Sequence, residues 1–215
     1  MFFLKKEWIL NEKFESENLN SILEWRCKPK NWFIDTTHSQ LVLETEAETD
    51  YWQKTHYGFQ VDNGHFLYIK TKKNFRMTTK VEALPKAKYD QAGLMIRFSE
   101  DMWVKTSLEY IPNGLSKLGA VVTNRGFSDW STQYVECIDV NLYFRISKIA
   151  QNCYVDFSWD GEEWRQIRIA HLDIPVDSSI LAGLYACSPQ GKEQHVRFDF
   201  LSIEELSNDP KEVYL

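Results

Sequence analysis

Apolar and polar residues alternate with a period of two along most of the chain, as strand side chains do when one face is buried. Gln40-Leu41-Val42-Leu43-Glu44-Thr45 keeps this alternation, and so does Phe66-Leu67-Tyr68-Ile69-Lys70. Turn residues separate the runs. Asn63-Gly64 predicts a hairpin between Phe59-Gln60-Val61 and Phe66-Leu67-Tyr68, and Asp160-Gly161 predicts another between Tyr154–Trp159 and Trp164–Ile169. Pro112-Asn113-Gly114 breaks the chain after Glu109-Tyr110. Helical periodicity is weak; its best stretch, Glu15–Glu24, predicts one or two turns, and Val135–Val140 is ambiguous by period alone. Short strands at regular spacing predict an all-β fold, two antiparallel sheets packed face to face as a jelly-roll sandwich. A parallel α/β fold would need amphipathic helices between the strands, and the pattern has none.

No repeat, low-complexity linker or composition shift divides the 215 residues, so one domain is expected, ordered over about 7–206 with a frayed tail at 207–215. A chain of this size buries roughly 70% of its unfolded surface, enough for a core without disulfide staples. The cysteines, Cys27, Cys137, Cys153 and Cys187, contain no C-x-x-C and read as reduced, buried thiols rather than a zinc or redox site. The net charge of −6, with no Lys/Arg-rich run, argues against a nucleic-acid partner. No stretch approaches the roughly 20 apolar residues of a membrane span. The start, Met1-Phe2-Phe3-Leu4-Lys5-Lys6-Glu7, is too short in apolar residues for a signal peptide, so a cytoplasmic location is expected. The aromatic content, 14% with eight Trp, suits half-buried strands and also the lining of sugar or protein interfaces.

Alternation assigns faces in the centre of the chain. In Gln91–Phe98 the residues Ala92, Leu94, Ile96 and Phe98 share an apolar face, leaving Gln91, Gly93, Met95 and Arg97 on the other. In Trp103–Tyr110 the inward set is Val104, Leu108 and Tyr110, with Trp103, Lys105, Ser107 and Glu109 opposite. A turn of only Ser99–Met102 joins the two, so they are expected to pair. One sheet face then displays Arg97, Lys105, Glu109 and Trp103, which suits a sugar: polar groups for hydroxyls and an aromatic plate for the C–H face of the ring. The plainer alternative is a solvated sheet face with cross-strand charge pairs.

Several stretches together resemble the regulation-of-enolase family: Thr49–Phe59, Tyr89–Met95, Trp103-Val104-Lys105, Leu108-Glu109, Val121–Asn124, Ser128–Ser131, Phe157–Gly161 and Leu184–Pro189. The likeness runs from about Trp25 to Phe200. It implies a concanavalin A-like lectin/glucanase sandwich, similar also to the sandwich domain appended to some β-xylosidases. It further implies a link to a glycolytic enzyme, and it carries no established catalytic residues. The recurring polar and aromatic positions fall on Trp52, His56, Tyr57, Gln91, Lys105, Glu109, Asn124, Asp129 and Trp130.

No strand carries the Glu-x-Asp-x-x-Glu spacing that jelly-roll glucanases use, and Glu109 has no carboxylate two positions away. Glu136 and Asp139 point to opposite faces if that segment is a strand. The five His form no i, i+2 or i, i+4 pair, so no zinc site is expected; no calcium-specific Asp/Asn cluster and no cofactor fingerprint occur either. His56 reads either as a general base or ligand donor, or as a hydrogen-bonded strand residue. Trp159 and Trp164 are expected to pair across their turn, and Asp129-Trp130 to sit in a recognition loop over Gly126–Thr132. The leading expectation is a non-catalytic module for a carbohydrate or other small polyhydroxylated ligand. In that reading Trp103 and Trp130 stack on the ligand, Gln91, Lys105, Glu109 and Asn124 hydrogen-bond to it, and His56 and Tyr57 close one end. A protein-interaction or regulatory role in central metabolism, and a glycoside hydrolase built on Glu109, are the alternatives.

Overall fold

The computed structural model describes residues 7–136 and 141–214. The strands are β1 (Trp8–Glu12), β2 (Glu24–Arg26), β3 (Asn31–Asp35), β4 (Gln40–Glu44), β5 (Tyr51–Gln53), β6 (Gln60–Asp62), β7 (His65–Thr71), β8 (Asn74–Leu84) and β9 (Gln91–Ser99). They continue as β10 (Met102–Glu109), β11 (Ser116–Asn124), β12 (Phe127–Val135), β13 (Asn141–Ile149), β14 (Asn152–Ser158), β15 (Arg165–His171), β16 (Ile180–Cys187) and β17 (His195–Leu206). One sheet has eight strands, β15-β14-β13-β8-β17-β4-β3 with β1 added against β17, and the other seven, β12-β11-β10-β9-β16-β7-β2. The strand pairs are antiparallel, and β5 and β6 form a separate two-stranded ribbon. This is the expected two-sheet jelly-roll sandwich.

The inner faces of the sheets meet as alternation predicts. Phe75, Met77 and Val81 of β8 and Phe144 and Ile146 of β13 pack into one core with Ala92, Leu94 and Ile96 of β9 and Val104 and Leu108 of β10. The larger of these side chains, Ala92 apart, each contribute roughly 1.5–3 kcal/mol when fully buried. The seven-stranded sheet is unusual in being buried on its outer face as well. There Tyr51, Trp52, Phe66, Met95, Trp103, Val121, Tyr185 and Cys187 make a second cluster, because the β5–β6 ribbon lies over the sheet. Gly119, Ser107 and Gly93 stand side by side across β11, β10 and β9 on this outer face. A Cβ on Gly93 would lie 2.0 Å from the Thr106 carbonyl oxygen, and one on Gly119 2.0 Å from that of Ser131, so only glycine fits at either position.

Several local expectations are corrected. Glu15–Glu24 forms bends and a turn rather than a helix, with β2 starting at Glu24. Asn63-Gly64 does not close a hairpin: β6 pairs with β5 while β7 pairs with β16 and β2. The cause is a tertiary contact, since the Asn63 and Gly64 amides both donate to the Asp50 carbonyl, at 3.1 and 3.2 Å. Asp129 and Trp130 lie on strand β12 rather than in a loop. Asp160-Gly161 does connect a paired β14 and β15. Its tryptophans do not meet, however: Trp159 packs edge-on against Phe157, and Arg145 sits 4.2 Å over the ring of Trp164. Cys27 is exposed, whereas Cys153 and Cys187 are buried, all as free thiols. The tail is not frayed throughout, because Pro210–Tyr214 forms a 3-10 turn that buries Val213 against Ile149 and Leu206. Val135 ends β12; Cys137 and the rest of the ambiguous stretch to Val140 lie outside the described residues, as does Asp139.

Candidate functional site

The pairing of β9 with β10 aligns Trp103 with Arg97, Lys105 with Met95, Ser107 with Gly93 and Glu109 with Gln91. Because side chains alternate, Gln91, Lys105 and Glu109 all rise from the outer face near one end of the hairpin. The ribbon covers the rest of that face. Asp62 at the end of β6 accepts hydrogen bonds from Arg97 at 2.5 and 2.7 Å and from Arg26 at 2.7 Å. On β5 the Gln53 amide donates to Ser128 Oγ at 2.9 Å, and Ser128 in turn bonds Thr123 Oγ1 at 2.7 Å. The ribbon is therefore held to the sheet through both of its strands.

A cleft of about 420 Å³ remains where the ribbon stops short of the sheet end. Lys105, Gln91 and Glu109 form its floor, and Asp50, Trp52 and Val61 of the ribbon form one wall, continued by Tyr57 and Phe59. Trp130 of β12 stands opposite, Tyr89, Pro189 and Gln190 close the third side, and Glu48 reaches the rim. The third side is set by buried Asp90. Its carboxylate accepts from the amides of Lys86 and Ala87, both at 2.8 Å, and from Ser188 Oγ at 2.6 Å, fixing two loops to each other. The aromatic wall is a packed series. Trp52 meets Trp130 edge-on at 6.3 Å and Tyr57 at 5.6 Å, and Tyr57 stacks on Phe59 at 5.7 Å.

The floor holds charge away from water. Lys105, only 2% exposed, donates from Nζ to Gln91 Oε1 at 2.7 Å and to Asp50 Oδ1 at 3.4 Å. Tyr185 OH donates to the same Gln91 oxygen at 3.1 Å, so that oxygen is pinned between two donors. Glu109 is 8% exposed, and no hydrogen bond from any described residue reaches its carboxyl group. Burial is the main reason its pKa is pushed up from 4.5 to about 7; Lys105 and Lys117 pull it down, and Asp50 pushes it further up. A carboxyl group in that state exchanges a proton near neutrality and accepts or donates hydrogen bonds to a ligand.

Of the residues expected from sequence, the structure brings Trp52, Tyr57, Gln91, Lys105, Glu109 and Trp130 together around this cleft. Five others are placed elsewhere. Trp103 is 0% exposed beneath the ribbon, where Tyr51 packs on it at 6.2 Å, so it presents no stacking surface. Arg97 is committed to Asp62. Asn124 joins β11 to the chain after β15, donating to the His171 carbonyl at 2.8 Å and accepting from the Asp173 amide at 3.1 Å. Asp129 alternates with Trp130 on β12, so it faces away from the cleft and pairs with Arg168 at 2.9 Å. His56 is exposed at the tip of the β5–β6 connection, its ring 4.6 Å from that of Tyr57, and does not line the cleft. Asp50, Glu48, Phe59, Tyr89 and Gln190 were not singled out from the sequence. Asp50 and Phe59 lie within the Thr49–Phe59 stretch that carries the family likeness, which was the available signal.

The fold is thus an antiparallel jelly-roll sandwich with a cleft on the outer face of one sheet. Within it, residues 25–206 match the family described as protein of unknown function DUF1349, and the chain belongs to that family. It is 34% identical over 179 residues to Regulation of enolase protein 1 of Saccharomyces cerevisiae, covering 83% of this chain and 87% of that one. A functionally unknown protein from S. cerevisiae of known crystal structure superposes with a TM-score of 0.79 at 32% identity, over 87% of this chain and 98% of that one. The GH43 protein BlXynB from Bacillus licheniformis superposes with a TM-score of 0.73 at 16% identity, over 94% of this chain but 40% of that one, a likeness of fold alone. No helix among the described residues is long and apolar enough to cross a membrane.

Proposed function

We propose that this chain is a non-catalytic, cytoplasmic binding module whose cleft takes a carbohydrate or other polyhydroxylated ligand. The observation that carries this reading is the cleft itself: aromatic rings line two of its sides, and the floor ends in a buried carboxyl group that takes no hydrogen bond from the described residues. Rings suit the C–H faces of a sugar, while Glu109, Gln190 and Tyr89 supply hydrogen-bonding groups for hydroxyls. The cytoplasmic part rests on the buried free thiols Cys153 and Cys187. The test is a tryptophan-fluorescence titration against short glucans and xylans. Saturable quenching that Tyr57→Ala weakens, with thermal unfolding unchanged, is the expected result. Tyr57 is 52% exposed, so its loss leaves the core intact. A flat response across the panel would refute the reading.

Two other readings each have one observation in their favour. The relative named for regulation of enolase favours a regulatory role in central metabolism, which a direct binding assay with purified enolase would test. Asp50 places a second carboxylate in the cleft beside Glu109, which favours glycoside hydrolysis. Reducing sugar released by the wild type and not by Glu109→Gln would establish that chemistry in place of simple binding.

A further inference from the structure

The charges around the cleft are unevenly satisfied. Lys105 has two acceptors, Gln91 Oε1 and Asp50 Oδ1, so its positive charge is already met within the protein. Lys117 sits over the ring of Trp130, 4.5 Å from its centroid, and does not line the cleft. The carboxyl groups are in the opposite condition. Glu109 lines the cleft, is more than nine-tenths buried, and receives no hydrogen bond from the described residues. Glu48 at the rim adds a further carboxyl group to the lining. A ligand that enters therefore meets a carboxyl group that takes no hydrogen bond from the described residues, beside ring faces; Lys105 and Lys117 act on Glu109 through space only, Lys105 spending its hydrogen bonds on Gln91 and Asp50. Ring faces attract positive charge through their quadrupole, and a desolvated carboxylate rewards a charged donor more than a neutral one. A carboxylated sugar, by contrast, would bring a third like charge toward Asp50 and Glu109.

We infer that the cleft sorts sugars by charge, preferring one with a protonated amino group over neutral or carboxylated sugars. This rests on the reading of the cleft as a sugar site and names its ligand class. Glu109 is the residue that contacts the ammonium, and the aromatic wall holds the ring that bears it.

The experiment is isothermal titration of the purified protein with three β-1,4-linked trimers that differ at carbon 2: glucosamine, N-acetylglucosamine and glucose. An α-1,4-linked galacturonic acid trimer is the anionic comparison. The glucosamine trimer is expected to bind about tenfold or more tightly than the glucose trimer, the effect of one charge-assisted hydrogen bond. The galacturonic acid trimer is expected to be weakest, and Glu109→Gln to remove most of the gap between the amino and neutral trimers. If the neutral trimers bind as tightly as the glucosamine trimer, or the acidic one binds best, charge selection is overturned and the sugar site stands. If the gap survives Glu109→Gln, the role of Glu109 is overturned. If no trimer binds, both the selection and the sugar site are overturned. Circular dichroism of the variant confirms that it is folded.

Discussion

Replacing Glu109 with glutamine should flatten the pH dependence of stability between about pH 4.5 and 7. Glu109 holds its proton more tightly folded than unfolded, with a folded pKa of about 7 against an ordinary value of 4.5. For a group raised in this way the stabilising contribution is complete below the unfolded pKa and is lost as the pH rises through the folded one. The interval between 4.5 and about 7 corresponds to about 3 kcal/mol at roughly 1.4 kcal/mol per tenfold change in proton affinity. Wild type should therefore lose about 3 kcal/mol relative to Glu109→Gln on going from pH 4.5 to pH 8. In a domain of this size that is a melting-temperature difference on the order of 10 °C. Urea unfolding at half-unit pH steps measures it, and the slope of the difference curve is the quantity to read, since the amide adds its own pH-independent offset. His65 does not confuse the comparison. Burial lowers its pKa, so its contribution falls away toward acid, and it is present in both proteins. Parallel wild-type and variant curves from pH 4.5 to 8 would show that the Glu109 carboxyl is solvated, and the account of the cleft floor would fail with it.

Three further substitutions probe the frame around the cleft. Asp62→Ala leaves Arg97, 5% exposed, without its partner, and should cost about 3–5 kcal/mol in urea unfolding while weakening any cleft ligand. A loss below about 1 kcal/mol would show that water replaces the carboxylate and that the ribbon is held by other contacts. Gly93→Ala puts a methyl group against the Thr106 carbonyl and should yield insoluble protein; a soluble variant with an unchanged melting temperature would show that the strands can part there. Asp129→Ala removes an exposed carboxylate from a half-buried Arg168 and should change stability by about 1 kcal/mol or less and ligand affinity not at all, by the titration used for the cleft.

What the sequence disclosed follows from the range of the forces involved. The inner faces of β9 and β10 were legible because Ala92, Leu94, Ile96 and Val104 recur at every second position, beside the polar Gln91, Arg97 and Lys105, and alternation is a local property. The same alternation misled for Trp103 and Arg97. A face opposite the core reads as solvent or ligand surface unless something covers it, and the cover over Arg97 here is a ribbon whose Asp62 lies 35 residues away in the chain. Asn63-Gly64 has hairpin chemistry, but the Asp50 carbonyl takes both amide protons and turns the chain between sheets instead. Asp50 itself was passed over because its partner, Lys105, is 55 residues distant. Trp130 lies at the cleft as its residue type suggests, while Asp129, its neighbour in a segment that reads as a loop, shares strand β12 with it. Strand geometry then sends the two side chains to opposite sides.

The glycines of β9 and β11 separate the mechanical part of this sheet from its chemical part. At Gly93 and Gly119 the neighbouring backbone occupies the place of a side chain, so the spacing of β9 from β10 and of β11 from β12 is set by main-chain atoms. The groups that give the cleft its character sit elsewhere, on the ribbon, on the edge strand β12 and at the end of the β9–β10 hairpin. They are interchangeable in a way the glycines are not. A new set of rings and polar groups can be written onto Tyr57, Phe59 and Trp130, which line the cleft outside the buried cores, while the strands beneath keep their spacing. A library confined to those three positions would therefore change what the cleft holds and leave the sandwich standing.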